Sequence, residues 1–281
     1  MAGPVIAVAQ LPMQWTVPAN LREIEGAMRL AHAEGAAICA FAELAVTGFH
    51  RGIVDEGVPA KVDPALAHVS GLCAGLGLAV AIGAPAFDGG RFDSHWLIDA
   101  QGAVQARIDK VGLTAAEATF FAPGAGPRPT AMLAGLRCSA VICREIEDRA
   151  TLPASLGDGR PQLLFWPGLM RPDPAKPPVD PPAHVADAMA MARATGAWIV
   201  QANWPDSLNR PEESAGCGGS ACVDPEGRLR WRLPMEGLGL GLFALGDDTP
   251  RWLPLDAARR TIPDGWTDPL AARWTPTSAP A

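Results

Sequence analysis

Short apolar runs alternate with stretches of helical periodicity along most of the chain. Residues 4–10 form an apolar run that reads as a buried strand. Asn20 with Glu23 three residues on is a capping-box-like pair and predicts a helix start. Leu21, Ile24, Met28 and Ala31 then recur at helical spacing, and Gly35 ends them. Ala36 to Glu43 is a second apolar run, closing on Phe41-Ala42-Glu43. Residues 65–76 suit a helix and 78–84 a strand, while 95–100 and 104–110 read as a hairpin around Gln101-Gly102 with Lys110 at its far end. Residues 136–143 form another apolar strand, ending at Cys143. A strand at 162–167, an Ala/Met-rich helix at 183–195 and a strand at 198–203 follow. A hairpin over roughly 219–231 turns at Asp224-Pro225-Glu226-Gly227, and Leu240 to Leu245 is the last strand. Gly237-Leu238-Gly239-Leu240-Gly241 lacks the strand–turn–helix setting of a dinucleotide loop and precedes or begins that strand.

Strands alternate with helices, but hairpins interrupt the alternation. That predicts an α/β fold with a mixed sheet covered by helices, not a purely parallel sheet. The length of 281 residues suits a single domain with a large core. Residues 247–281, rich in Pro, Trp and Arg and without periodicity, are expected to form an extended tail. Its Trp252, Trp266 and Trp274 are costly to leave in water, so the tail is expected to lie on this subunit or a neighbour.

Composition narrows the partners. The chain is 48% apolar and 19% charged, a globular balance. Its net charge of −7, with no Lys/Arg run, argues against a nucleic-acid partner. There is no apolar run of about 18 residues, so no membrane span is expected. The first residues lack the positive charge of a secretory leader. The six scattered cysteines are then expected as free thiols in a cytoplasmic protein.

Three reactive side chains stand where apolar runs end: Glu43, Lys110 and Cys143. Ligands of open α/β sheets collect beyond the carboxyl ends of strands. A cysteine nucleophile works as thiolate and needs a base or a cation nearby. A glutamate can take the thiol proton and return it to a leaving amine. A lysine can stabilise the oxyanion of an attacked carbonyl. Singly, each residue has a blander reading: a cysteine ending an apolar strand is usually an inert core residue, and a charge at a strand end is usually solvated.

The local contexts favour the chemistry. Phe41-Ala42-Glu43-Leu44-Ala45-Val46-Thr47-Gly48-Phe49 resembles the first signature of the nitrilase superfamily of carbon–nitrogen hydrolases. Asp109-Lys110-Val111-Gly112-Leu113 resembles its lysine segment, and Glu117-Ala118-Thr119-Phe120-Phe121-Ala122-Pro123-Gly124 the stretch that follows. Leu136 through Cys143-Arg144-Glu145 resembles the nucleophile strand, and Gln201-Ala202-Asn203 and the hairpin at Asp224 are similar to later segments. The resemblance covers nearly all of residues 4–245. It implies an αββα sandwich, assembled as a homodimer or larger homo-oligomer, acting on a small-molecule substrate without metal or organic cofactor. It also implies Cys143 as nucleophile, Glu43 as general base and acid, Lys110 as oxyanion stabiliser, and Glu117 as a second glutamate supporting the lysine and positioning substrate. By the same analogy the backbone N–H of Arg144 completes the oxyanion site. The three triad charges are expected to perturb one another, so their pKa values belong to the group.

Several positions depart from the family pattern. Ala42 stands where proline is frequent, Asp93 where many members carry asparagine, and Arg144 where amidases have an aromatic residue and nitrilases tryptophan; the chain has no tyrosine. These touch specificity, not the triad. The leading reading is therefore hydrolysis of a small amide or N-carbamoyl substrate. Nitrile hydrolysis is disfavoured by Arg144. Acyl transfer to an amine uses the same triad and is not separable from sequence. A catalytically silent binding protein is disfavoured because all three reactive groups are intact.

Weaker signals read as structural. His50 reads as an exposed loop histidine ahead of a pocket residue, and the other histidines lack metal-ligand spacing. Cys138 and Cys143, five apart on one expected strand, face opposite ways and do not pair. Pro-rich residues 172–182 are expected to form a rim over the pocket.

Overall fold

In the computed structural model, residues 3–171, 179–209, 217–235 and 237–255 are described. Their strands form two mixed sheets. The first contains β1 (Val5–Gln10), β2 (Ile38–Ala40), β3 (Ala79–Ala86), β4 (Phe92–Ile98), β5 (Val104–Asp109), β12 (Gly239–Ala244) and β13 (Arg251–Pro254), ordered β13-β12-β1-β2-β3-β4-β5. The second contains β6 (Ala131–Leu133), β7 (Leu136–Ala140), β8 (Leu163–Gly168), β9 (Trp198–Asn203), β10 (Ala221–Val223) and β11 (Leu229–Arg232), ordered β11-β10-β9-β8-β7-β6. β1, β2 and β3 run parallel, as do β7, β8 and β9, while the flanking hairpins are antiparallel.

Both faces of the central strands are apolar, which is why they read as continuous runs. Ile6 and Val8 of β1 join Leu163 and Phe165 of β8 between the sheets. Their neighbours face outward: Ala7 and Ala9 meet α1 (Val17–Ala33) and α3 (Pro59–Leu76), and Leu164 and Trp166 meet α5 (Ala183–Thr195). The layers are helix, sheet, sheet, helix, an αββα sandwich. The Ala/Met stripe of α5 is core, through Ala188, Met191 and Ala192. Two short helices, α2 (Ile53–Glu56) and α4 (Leu152–Ser155), lie in the loops. No helix among the described residues is long and apolar enough to cross a membrane.

The structure corrects several local readings. α1 starts at Val17, with a proline in its first turn, so Asn20 lies inside the helix. Asn20 instead ties down the loop before it: Nδ2 donates to the carbonyls of Gln14 and Thr16, and Oδ1 accepts the Gln14 N–H. α3 begins at Pro59 and carries Pro64 within it. Residues 251–254, expected as aperiodic tail, are an edge strand paired to β12. Glycines make that pairing possible, since a Cβ at Gly239 would lie 2.6 Å from the Trp252 ring. Trp252 is half-buried against the inter-sheet core, whereas Trp266 and Trp274 lie outside the described residues. The six cysteines are all free and buried.

His50 corrects its reading too: it is 3% exposed, with Nε2 3.0 Å from the Thr47 carbonyl and Nδ1 accepting the Gly52 N–H. Burial pushes its pKa down to about 4. His95, between the sheets near Phe165, is pushed down to about 3, and His184 beside Trp166 to about 4, by burial and then by Arg232. Each is held neutral in the fold and takes up a proton more readily when unfolded. Stability from each is therefore present above pH 6.5 and lost as pH falls toward the folded value. Between pH 6.5 and 5 we expect each to remove about 1.5 kcal/mol. Urea unfolding at the two pH values measures this; His95→Leu should flatten the slope, and an unaltered slope would refute the assignment for His95.

Candidate active site

The candidate residues converge at the carboxyl ends of the parallel strands. The chain leaves β2 at Ala40, keeps one more bond to β3 through the Phe41 N–H and the Ala81 carbonyl at 2.9 Å, and runs on to Glu43. It passes directly over β3: a Cβ at Gly83 would fall 2.2 Å from the Leu44 nitrogen, so only glycine admits this approach. The Trp204 indole N–H donates to the Glu43 carbonyl at 2.8 Å. Lys110 follows β5, its N–H donating to the Asp93 carbonyl at 2.8 Å and its carbonyl accepting the Gly124 N–H. Glu117 opens a 3₁₀ turn (Glu117–Thr119), and its Oε2 accepts the Thr114 N–H at 2.7 Å.

Cys143 does not end a strand. β7 stops at Ala140, and Cys143 begins a 3₁₀ turn (Cys143–Glu147) with φ 52°, a left-handed conformation that non-glycine residues avoid. Such strain persists only where neighbours over-determine it. Here Trp166 Nε1 donates to the Cys143 carbonyl at 2.9 Å, and Glu145 clamps the turn from beneath. Its Oε2 accepts the Ile142 N–H, and its Oε1 accepts the N–H groups of Val111 and Gly112 and a 2.6 Å bond from Arg128. Arg128 and these N–H groups hold the Glu145 pKa low against its burial. One carboxylate thus ties the lysine loop to the nucleophile turn. Met170 Sδ lies 3.6 Å from Cys143 Sγ, and Asn203 fixes Met170 through both of its backbone groups.

Lys110 has no solvent exposure. Its Nζ lies 2.6 Å from Glu43 Oε1, 2.7 Å from Glu117 Oε1 and 3.5 Å from Asp93 Oδ2. Oxygens of the three carboxyl groups lie within 4.8 Å of one another, and the lysine ammonium is the cation among them. Burial alone would lower the lysine pKa, but Glu43, Cys143, Asp93 and Glu117 hold it well above the usual value. Burial raises Glu43, opposed by Lys110 and reinforced by Glu117. Burial and the charge of Glu43 also raise the Cys143 thiol well above its ordinary value, opposed by Lys110. Burial and Glu43 thus favour the thiol form of Cys143, and Lys110 favours the thiolate.

The arrangement can move a proton from Cys143 to Glu43 as the sulfur attacks. Lys110 then meets the negative oxygen, and the first N–H groups of the 3₁₀ turn, including that of Arg144, lack partners within the turn and suit the same task. The Arg144 side chain turns away to the Gly112 carbonyl and Asp148. A cavity of about 280 Å³ opens over Glu117, lined by Phe49, His50, Ile53, Phe120 and Phe121. A larger groove of about 670 Å³ between α1 and α3 contains no nucleophile.

Glu43, Lys110, Glu117 and Cys143, all singled out by sequence, meet here. Asp93 appeared only as a departure from the family pattern, Glu145 and Asn203 only as parts of resembling segments with no role assigned, and Arg128, Met170 and Trp204 gave no usable signal. A β-bulge between Leu97 and Ile98 concealed Asp93: it shifts the hairpin register by one and brings Asp93 opposite Lys110.

Comparison with known proteins bears on the family and the fold. The model of the carbon–nitrogen hydrolase family matches residues 5–245. A cysteine-to-serine variant of the Nesterenkonia AN1 amidase, from the nitrilase superfamily, superposes with a TM-score of 0.75 at 25% identity, over 88% of this chain and 93% of that one. A glutamate-to-glutamine variant of that amidase, carrying the acetamide moiety of fluoroacetamide on its active-site cysteine, has a TM-score of 0.75 at 24% identity, over 88% and 91%. A cysteine-to-alanine variant in complex with butyramide has a TM-score of 0.75 at 24% identity, over 87% and 91%. The comparison with curated proteins returns no match. With the family model spanning most of its length and the same sandwich in the Nesterenkonia amidase, the chain belongs to the carbon–nitrogen hydrolase family and is an enzyme of the nitrilase superfamily.

Proposed function

We propose that the chain hydrolyses a small, non-peptide amide or N-carbamoyl substrate through a thioester on Cys143. The observation that carries this reading is Cys143 on a strained turn beside the buried Glu43–Lys110 pair. Cys143 Sγ attacks the carbonyl carbon while Glu43 takes the thiol proton. Lys110 and the Arg144 N–H stabilise the oxyanion. Glu43 returns its proton to the nitrogen, and the C–N bond breaks to leave ammonia or an amine. Water then gives a proton to Glu43 and its oxygen to the thioester carbon, and the released thiol recovers that proton. Glu117 holds Lys110 through Oε1.

Support for an amide over a nitrile comes from Arg144 at the position after the nucleophile and from the amide complex of the Nesterenkonia enzyme. The cavity of about 280 Å³ reaches the site through Glu117, though Cys143 does not line it, and its size suits a small ligand. We place the enzyme in the cytoplasm as a homodimer or larger homo-oligomer; six free cysteines suit a reducing compartment. A Pro-rich rim over the site remains part of this proposal, although residues 172–178 of it lie outside the described residues.

Ammonia release from a panel of small amides, ureido acids and nitriles tests the reading. Release from amides or ureido acids is expected. Release from nitriles alone would make the enzyme a nitrilase, and no release together with no alkylation of Cys143 by iodoacetamide would overturn the proposal.

A further inference from the structure

Asp93 is a buried acid of the site that the mechanism above does not use. It is 1% exposed, and its Oδ2 stands 3.5 Å from Lys110 Nζ, outside the short contacts that Glu43 and Glu117 make with the same ammonium. Neither Asp93 oxygen has a hydrogen-bond partner, and neither does Glu43 Oε2. Buried acceptors left without donors are costly. Three carboxyl groups surround one cation, so full ionisation would leave two uncompensated negative charges in a buried cluster. Two carboxylates this close cannot both stay ionised easily.

A single proton eases both problems: it removes one of the two excess charges, and its hydrogen bond gives Glu43 Oε2 and one Asp93 oxygen a partner. We propose that Asp93 is a positioning residue that holds a proton at neutral pH and donates it in a hydrogen bond to Glu43 Oε2. This rests on the reading of Glu43 as the base. The bond keeps Glu43 ionised and fixes its orientation toward the thiol while Lys110 holds Oε1. Burial, then the charge of Glu43, raise Asp93 well above the ordinary aspartate value. The groups facing Asp93 are Glu43 from the β2 end, Lys110 from β5 and Glu117 from its 3₁₀ turn, with Cys143 beyond Lys110. The adjacent Ser94 turns to Asp109 instead. Where the family pattern has an asparagine, whose amide donates permanently, this chain has a donor that can be lost. Raising the pH until the proton leaves adds a negative charge beside the thiol and the developing oxyanion, so hydrolysis falls on the alkaline side.

Two measurements on the full-length protein test this. Infrared spectra of the wild type at neutral pH should contain the carbonyl band of a protonated carboxylic acid that Asp93→Asn lacks; the band should fade as pH rises. Absence of that band from the wild type would overturn the proposal whatever the substrate is. The pH profile of kcat/KM on the best amide should show the alkaline limb of the wild type displaced upward in Asp93→Asn by about one pH unit or more, with the acid limb little moved. A displaced acid limb alone, or superimposable profiles, would instead mean an ionised or uncoupled Asp93. Lack of any amide turnover by the wild type would count against the hydrolase reading and leave the infrared result to decide on Asp93.

Discussion

Cys143→Ala is expected to lower amide hydrolysis by on the order of 10⁴-fold or more while leaving the fold intact. The covalent route needs the sulfur, and no second thiol can replace it. Cys39, Cys73, Cys138, Cys217 and Cys222 are all buried, and burial raises every one of these thiols, those of Cys73 and Cys138 to about 12. Cys138 packs in the core between the sheets. Alanine keeps the Cβ and the left-handed backbone at φ 52°, so the strain remains and stability should stay within about 1 kcal/mol. Cys143→Gly separates strain from chemistry. It removes the Cβ that disfavours this φ and should be about 1 kcal/mol more stable than the alanine variant, yet equally inactive. Ammonia release and urea unfolding measure the two effects. Hydrolysis by Cys143→Ala within tenfold of the wild type would move the nucleophile elsewhere.

How much of this was readable in the sequence depended on how local each signal is. Central strands such as β1 and β8 carry their own apolar runs, and α5 its own stripe. The Glu43, Lys110 and Cys143 segments announce themselves because each combines a reactive side chain with a turn beside it. Signals failed where contacts between distant segments decide. Asn20 and Glu23 form a capping-box spacing, yet the proline in the first turn of α1 starts the helix earlier and Asn20 serves the preceding loop. The edge strand β13 gains its place from β12 glycines that admit Trp252. Cys143 looked like the end of a strand because Val141 and Ile142 are apolar, but those residues fill the core under α5, and the last bond to β8 is made by the Val141 N–H, two residues before Cys143. Glu145 and Arg128 lie 17 positions apart, and neither has a local pattern that marks an ion pair. His50 looked exposed because loops usually are; Trp15, from another loop, stacks edge-on against it at 4.9 Å.

Lys110→Met removes both the charge proposed to meet the oxyanion and the counter-charge of a buried acid cluster, so two losses of different pH dependence are expected. The first is hydrolysis: loss of one oxyanion donor alone is worth about 10²–10³-fold, and Glu43 also loses the 2.6 Å contact that orients it. The second is stability, by about 3–5 kcal/mol at neutral pH, because Glu43, Asp93 and Glu117 remain buried without a cation. Without Lys110 the Glu43 and Asp93 pKa values rise further above their unfolded values. The folded variant then binds more protons than the unfolded chain, so its stability improves as pH falls through the raised values. The deficit relative to the wild type should therefore be greatest at neutral and alkaline pH and shrink toward pH 5. Lys110→Arg should not restore function, since a planar guanidinium cannot occupy the compact space from which one ammonium reaches three carboxyl groups. Unfolding of the wild type and Lys110→Met across pH, with ammonia release at each point, measures both losses. A stability deficit that stays constant with pH would show that the cluster is not held by the lysine charge, and hydrolysis within tenfold of the wild type would remove Lys110 from the oxyanion site.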